Sequence, residues 1–209
     1  MSYSQYGEDL IIQEIFGGHT GRLLDIGAWA WDAKSNSRLF LERGWGGVLI
    51  EPSPGALRGR DAKPYGLIGA YAERSDVLVV CACVGIQNGL VEIKVTDDAV
   101  SSSDPEVQAV WSKDDNVGGY YGWCYYPVIT LADIFHQFGG PFDFINIDAE
   151  GLSVALLTEL MKTQADPRVL CVEHDGKLQE IMTVVSPKGY KARVANADSA
   201  GTNVILVRG

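Results

Sequence analysis

Two carboxylates in this 209-residue chain each close a short apolar run, and their spacing suggests a shared chemistry. Asp25 lies in Arg22-Leu-Leu-Asp-Ile26 ahead of Gly27-Ala28, whereas Glu51 follows Gly47-Val-Leu-Ile50 and precedes Pro52. Glu51 comes 26 positions after Asp25, the length of one strand–helix–strand unit. A carboxylate at the end of a second strand can take both hydroxyls of a ribose, because it presents two acceptor oxygens. A glycine after the first strand lets backbone approach a ligand where a side chain would block it. A second group, Asp148, Glu150, Glu173, His174 and Asp175, stands at or just after two later apolar runs. Such groups can take a proton from a hydroxyl. Glu150 reads equally as a cap for the helix that follows, and His174 equally as a structural histidine.

These groups need strands to carry them, and the chain supplies alternating strand and helix patterns. Strands are predicted at Arg22 to Ile26, Gly47 to Ile50, Val77 to Val84, Leu90 to Val95, Phe142 to Ile147, Arg168 to Glu173 and Asn203 to Val207. Helices are predicted from near Tyr6 to Phe16, at Ser35 to Arg43, after an N-cap at Ser53-Pro54, around Tyr65 to Glu73, at Ser153 to Met161 and at Leu178 to Val185. Asn88-Gly89 is the strongest hairpin signal. Strands spaced by helices imply a doubly wound, Rossmann-like α/β sheet, mostly parallel, with an antiparallel edge and helices on both faces. Residues 97–126 break the rhythm: Trp111, Tyr120, Tyr121, Trp123, Tyr125 and Tyr126 crowd among Gly118, Gly119 and Gly122. That stretch reads as an inserted loop or lid in a single domain spanning 1–209, either stacking on a flat acceptor or filling its own small core.

Composition narrows the partners. Seventeen Lys and Arg against twenty-seven Asp and Glu give a net charge of −10, with no basic cluster to follow a nucleic-acid backbone. Charged residues interrupt every long apolar window, so no membrane span is expected. The N-terminal residues have no signal or transit character. Cys81, Cys83, Cys124 and Cys171 have neither zinc nor redox spacing, which implies free thiols and a cytoplasmic protein. Gly-x-Gly-x-x-Gly and the phosphate-cradling Gly-x-x-x-x-Gly-Lys-Ser/Thr are both absent, which counts against NAD, FAD and P-loop nucleotide chemistry.

Several motifs together resemble one family. Ser4-Gln-Tyr-Gly-Glu-Asp9, Asp25-Ile-Gly-Ala28, Ser35-Asn36, Gly44-Trp-x-Gly-Val-x-Ile-Glu-Pro52, Thr130-Leu-x-Asp133, Phe142-Asp-x-Ile-x-Ile-Asp-x-Glu-Gly151 and Gly189-Tyr190 are similar to the FkbM-type methyltransferases. The resemblance implies a class I fold, S-adenosylmethionine as cofactor and methyl transfer to a hydroxyl of a glycan or small metabolite. It places Asp25, Gly27 and Ala28 against the methionine portion, Glu51 and Pro52 at the ribose and Cys83 at the adenine. Asp148 would face the methionine amine or the acceptor, and Gln5 and Asp9 would close the pocket. Asp148 and His174 become the candidate catalytic residues. Asp148 with Glu173, or with His174 and Asp175, also resembles the carboxylate set of magnesium-dependent hydroxyl methyltransferases, although metal dependence is not the favoured expectation. Trp29 and Trp31 depart from the small or polar residues common in this turn. They either pack outward over the cofactor mouth or reshape the pocket, and the latter would suit a non-catalytic binding or assembly module.

Overall fold

The structure, a computed structural model, describes residues 1–53, 66–96, 103, 105, 108–109, 112, 120–194 and 203–209. Its strands are β1 Arg22–Ile26, β2 Gly46–Ile50, β3 Val77–Val80, β4 Cys83–Gly85, β5 Gly89–Thr96, β6 Tyr120–Thr130, β7 Phe144–Ile147, β8 Val169–Glu173, β9 Tyr190–Val194 and β10 Asn203–Arg208. The α-helices are α1 Glu8–Phe16, α2 Arg38–Glu42, α3 Gly66–Ala70, α4 Leu131–Phe138, α5 Ser153–Lys162 and α6 Leu178–Val185.

Seven strands form the main sheet in the order β3-β2-β1-β7-β8-β10-β9. The first five in that order are mutually parallel, and β10 runs antiparallel to both β8 and β9. The central strands are apolar without interruption because both faces are covered. Leu24, Ile26, Ile145 and Ile147 pack toward Ile134, Leu156, Leu157 and Ile181 of α4, α5 and α6. Leu23, Leu49 and Phe144 pack toward Ile12, Phe16, Phe40 and Leu67 of α1, α2 and α3. The doubly wound α/β expectation therefore holds, antiparallel edge included. Among the described residues, no helix is long and apolar enough to cross a membrane.

Three expectations need correction. The apolar run from Val77 to Val84 is not one strand: Ala82 N–H turns back to the Val80 carbonyl, and Cys83 opens β4 in a second sheet. That sheet has the order β4-β6-β5, so Asn88-Gly89 does not join a paired hairpin; β6 lies between the two strands it connects. The aromatic stretch is strand from Tyr120 onward, not loop. Aromatic and β-branched residues suit such a half-covered ladder, and a bulge opposite Val95 and Thr96 absorbs the irregularity near Gly122. Apart from isolated positions, residues 97–119 lie outside the described part, as does the helix expected after Ser53.

Helix α4 was not anticipated. Thr130 Oγ1 accepts from the Asp133 N–H at 3.2 Å while the Asp133 carboxylate accepts from the Thr130 N–H at 2.9 Å, a reciprocal capping box. The Thr130-Leu-x-Asp133 motif thus sets where β6 ends and α4 begins. Thr130→Ala should cost about 1 kcal/mol of unfolding free energy, readable in urea denaturation.

Candidate active site

The chain steps outward from β1 to β2 and β3, then returns to β7 on the other side of β1 and continues to β8. Strand order therefore reverses between β1 and β7, the place where open α/β sheets bind ligands beyond their carboxyl ends. Backbone bonds lace the strand ends together there. Gly27 and Ala28 N–H both donate to the Ile50 carbonyl, at 2.9 and 3.2 Å, and Asp148 N–H donates to the Ile26 carbonyl at 2.9 Å. Gly27 has φ +79°, and a Cβ on it would collide with the Asp148 carbonyl oxygen. Glycine is needed on both counts.

Glu51 is aimed by this turn. Trp29 N–H donates to Oε2 and Ser53 N–H donates to Oε1, each at 3.0 Å. The half-buried carboxylate is thus gripped from two sides by backbone. The Ser53 hydroxyl meets the Tyr126 hydroxyl at 2.5 Å, which ties the small sheet to the same turn. Cys83 also lies beside Glu51: burial first, then the Glu51 charge, pushes its thiol up to about 12. It reaches that position from β4 and not from the end of β3.

Asp25 serves differently from Glu51. Only 1% exposed, it accepts from Asn146 Nδ2 at 2.8 Å, and Asn146 Oδ1 in turn accepts from Asn36 Nδ2 at 3.1 Å. Burial raises the Asp25 carboxyl, whereas hydrogen bonds from Ser37 and Asn146 oppose that shift. This buried chain locks β1, β7 and the Ser35-Asn36 turn into one frame.

Beyond β7 and β8 the chain brings together carboxylates of Asp148, Glu150 and Glu173, with one oxygen of each within 4.8 Å of the others. Burial raises all three above the usual carboxylate range. For Glu173 the Asp148 and Glu150 charges add to the effect; for Asp148 a hydrogen bond with Glu173 works against it. Lys34 partly offsets the rise at Glu150. Without another counter-charge, protons held among these groups relieve the repulsion, with Glu173 the strongest holder.

The pattern that defines the methyltransferase FkbM domain matches residues 17–191, spanning both carboxylate groups and the strands that carry them. The chain belongs to the FkbM methyltransferase family. A search of curated proteins gave no match. Membership makes the chain a methyltransferase with the class I sheet seen here.

Within this FkbM-family frame, the remaining candidates fall in varied places. Gln5 is exposed and donates to the neighbouring Tyr6 hydroxyl at 3.0 Å. Asp9 is fully buried and accepts from Ser2 and Ser4 hydroxyls and from Tyr3 N–H, so it anchors the N-terminal segment. His174 is half-buried beside the acidic group but outside its carboxylate set. Its Nδ1 accepts from Gly176 N–H at 3.1 Å, which leaves Nε2 outside that turn. Glu150 makes no capping bond to α5; Ser153 Oγ instead accepts from Ala149 N–H.

Trp31 is half-buried and packs against the core on the α1 and α2 side, with the Arg38 guanidinium over its ring at 4.6 Å and over Tyr3 at 3.9 Å. Trp29 has φ +45° and Asp175 φ +44°, both in the left-handed region that disfavours bulky residues. Strain of that kind persists where surrounding structure enforces it, here on the loops after β1 and β8. Asn146 is the residue here that sequence reasoning missed, whereas Ser53 was read as a helix N-cap and Tyr126 as part of the aromatic lid. A lone Asn inside the apolar Phe144–Ile147 run was the available signal for Asn146.

Proposed function

We propose that this FkbM-family methyltransferase uses S-adenosylmethionine and methylates a hydroxyl oxygen of a glycan or small-molecule acceptor. The observation that carries the reading is the Glu51 carboxylate, held at the mouth of the Gly27 turn by a backbone N–H on each oxygen. Two adjacent ribose hydroxyls suit that arrangement, and the close backbone turn at Gly27 and Ala28 suits the methionine portion. When bound, the cofactor supplies an electrophilic methyl group on a sulfonium sulfur.

The chain's part is alignment and proton management. Methyl transfer is an in-line displacement, so holding the acceptor oxygen behind the methyl is the larger contribution. The new O–CH₃ bond forms as the S–CH₃ bond breaks with its electron pair leaving on sulfur, and the hydroxyl proton must go to a base. Asp148, fixed by its backbone against the β1 end, takes that role, and His174 through Nε2 is the alternative. Cys83 and Pro52 contribute to the adenosine side near Glu51. The four free thiols suit a reducing compartment such as the cytoplasm. A net charge of −10 favours neutral or cationic acceptors over anionic polymers.

Calorimetry with S-adenosylhomocysteine tests the cofactor half. Saturable binding at about 1–100 µM is expected, about −8 to −5 kcal/mol. No binding overturns the reading. Mass-spectrometric detection of a gain of about 14 daltons on oxygen, CH₃ replacing H, across a panel of hydroxylated acceptors tests the acceptor half; a product methylated on nitrogen or carbon would refute it.

A further inference from the structure

Glu173 is the deepest of the three clustered carboxylates, at 8% exposed, and its Oε2 accepts no hydrogen bond among the described residues. A buried acceptor left in that condition costs free energy unless a proton or a cation meets it. Glu173 does not stand alone: one of its carboxylate oxygens, one of Asp148 and one of Glu150 all lie within 4.8 Å of one another. Asp175, Asp25 and Glu51 add negative charge around the same space, and Lys34 is the cation that acts on Glu150.

We propose that Asp148, Glu150 and Glu173 form a binding site for a hard divalent cation of the Mg²⁺ or Ca²⁺ class. The donors are oxygens throughout, because the adjacent His174 commits Nδ1 to its own turn, and an all-oxygen set selects hard ions over zinc. Ligand oxygens around an ion with bonds of about 2.1–2.4 Å stand about 3.0–3.4 Å apart when adjacent and about 4.2–4.8 Å when opposite. The observed spread fits that range with side-chain adjustment of less than about an ångström. Two ligands come from the loop after β7 and the third from the last residue of β8, so the ion would also pin that loop to the strand end. Its chemistry would be to lower the pKa of a coordinated acceptor hydroxyl. That role, though not the binding, rests on the hydroxyl-methylation reading.

The test uses the full chain without any methyl donor. Mn²⁺ is titrated in and free Mn²⁺ is followed by electron paramagnetic resonance. Wild type should bind with a Kd of about 10 µM to 1 mM, and excess Mg²⁺ or Ca²⁺ should displace it. Glu173→Gln and Glu150→Gln should each weaken binding about tenfold or more, because each removes one charged ligand of three. Glu150 is more accessible, so its variant carries the test should the Glu173 variant fail to fold. Glu180→Gln, at an exposed position on α6, should leave the Kd unchanged. No saturable Mn²⁺ site in wild type would mean that protons alone hold the cluster and would overturn the proposal. Equal Kd values in wild type and both variants would overturn it too. S-adenosylhomocysteine binding is measured separately, so either result leaves the cofactor reading standing or falling by itself.

Discussion

Glu51→Ala is expected to weaken S-adenosylhomocysteine binding by at least about a hundredfold while leaving the fold intact. Two ribose hydroxyls donating to a carboxylate form charge-assisted bonds, each contributing about 1.5–3 kcal/mol. Losing both removes about 3 kcal/mol or more, and every 1.4 kcal/mol is a factor of ten. The carboxylate also receives Trp29 and Ser53 N–H, so its removal releases two donors as well as the ligand contact. Those donors sit at a half-buried position that water can reach, which limits the stability loss to about 1–2 kcal/mol. Glu51→Gln sharpens the test. An amide has one acceptor oxygen and one NH₂, and either orientation sets that NH₂ against a backbone N–H. The glutamine variant should therefore bind nearly as poorly as the alanine variant despite its matching shape. Calorimetry reads the affinity and thermal melting reads the fold. Unchanged affinity in a Glu51→Ala variant that is folded at the assay temperature would refute the ribose assignment.

The same carboxylate shows what pattern could and could not reveal in this chain. Asp25, Glu51, Asp148 and Glu173 were legible because each ends or follows an apolar run, and a parallel sheet gathers such ends on one side. Whether a carboxylate faces a ligand or the interior was not legible. Asp25 and Glu51 look alike in sequence, yet Asp25 bonds to Asn146 within the core and Glu51 is gripped at an open turn. Asn146 shares register with Asp25 across β1 and β7, a pairing visible only once those two distant segments are neighbours. The run from Val77 to Val84 misled for a related reason. Its apolar pattern continues through Cys81 and Ala82, but the chain changes sheets there, and hydrophobicity does not record which strand a residue pairs with. The aromatic strand β6 was hidden by Gly122 and by a partner that precedes it by more than twenty positions. Thr130 and Asp133, by contrast, carried a local signal for α4 that needed no tertiary contact.

Gly27→Ala should be the most damaging single-methyl change near the site, and Gly44 supplies the comparison that makes the claim sharp. Both glycines have positive φ, +79° and +87°, so alanine at either costs about 1–2 kcal/mol in backbone strain alone. Gly44 has open space around its missing Cβ, and the cost should stop there. At Gly27 the new methyl meets the Asp148 carbonyl oxygen, a backbone atom that cannot rotate away. Relief requires separating the ends of β1 and β7, which strains the Asp148-to-Ile26 bond and the paired donors from Gly27 and Ala28 to Ile50. A total of about 4 kcal/mol follows, in the class of large single-site losses from strain at a special backbone position. For a chain of this length that is a fall in melting temperature of about 8–16 °C, against about 2–8 °C for Gly44→Ala. Cofactor affinity should separate the two variants still further, because the same movement displaces Trp29 N–H from Glu51 and shifts Asp148 relative to the turn. Gly44→Ala, on the loop before β2, should bind S-adenosylhomocysteine as wild type does. If Gly27→Ala melts no lower than Gly44→Ala and binds equally well, the turn is not held against Asp148, and the geometry that aims Glu51 must arise elsewhere.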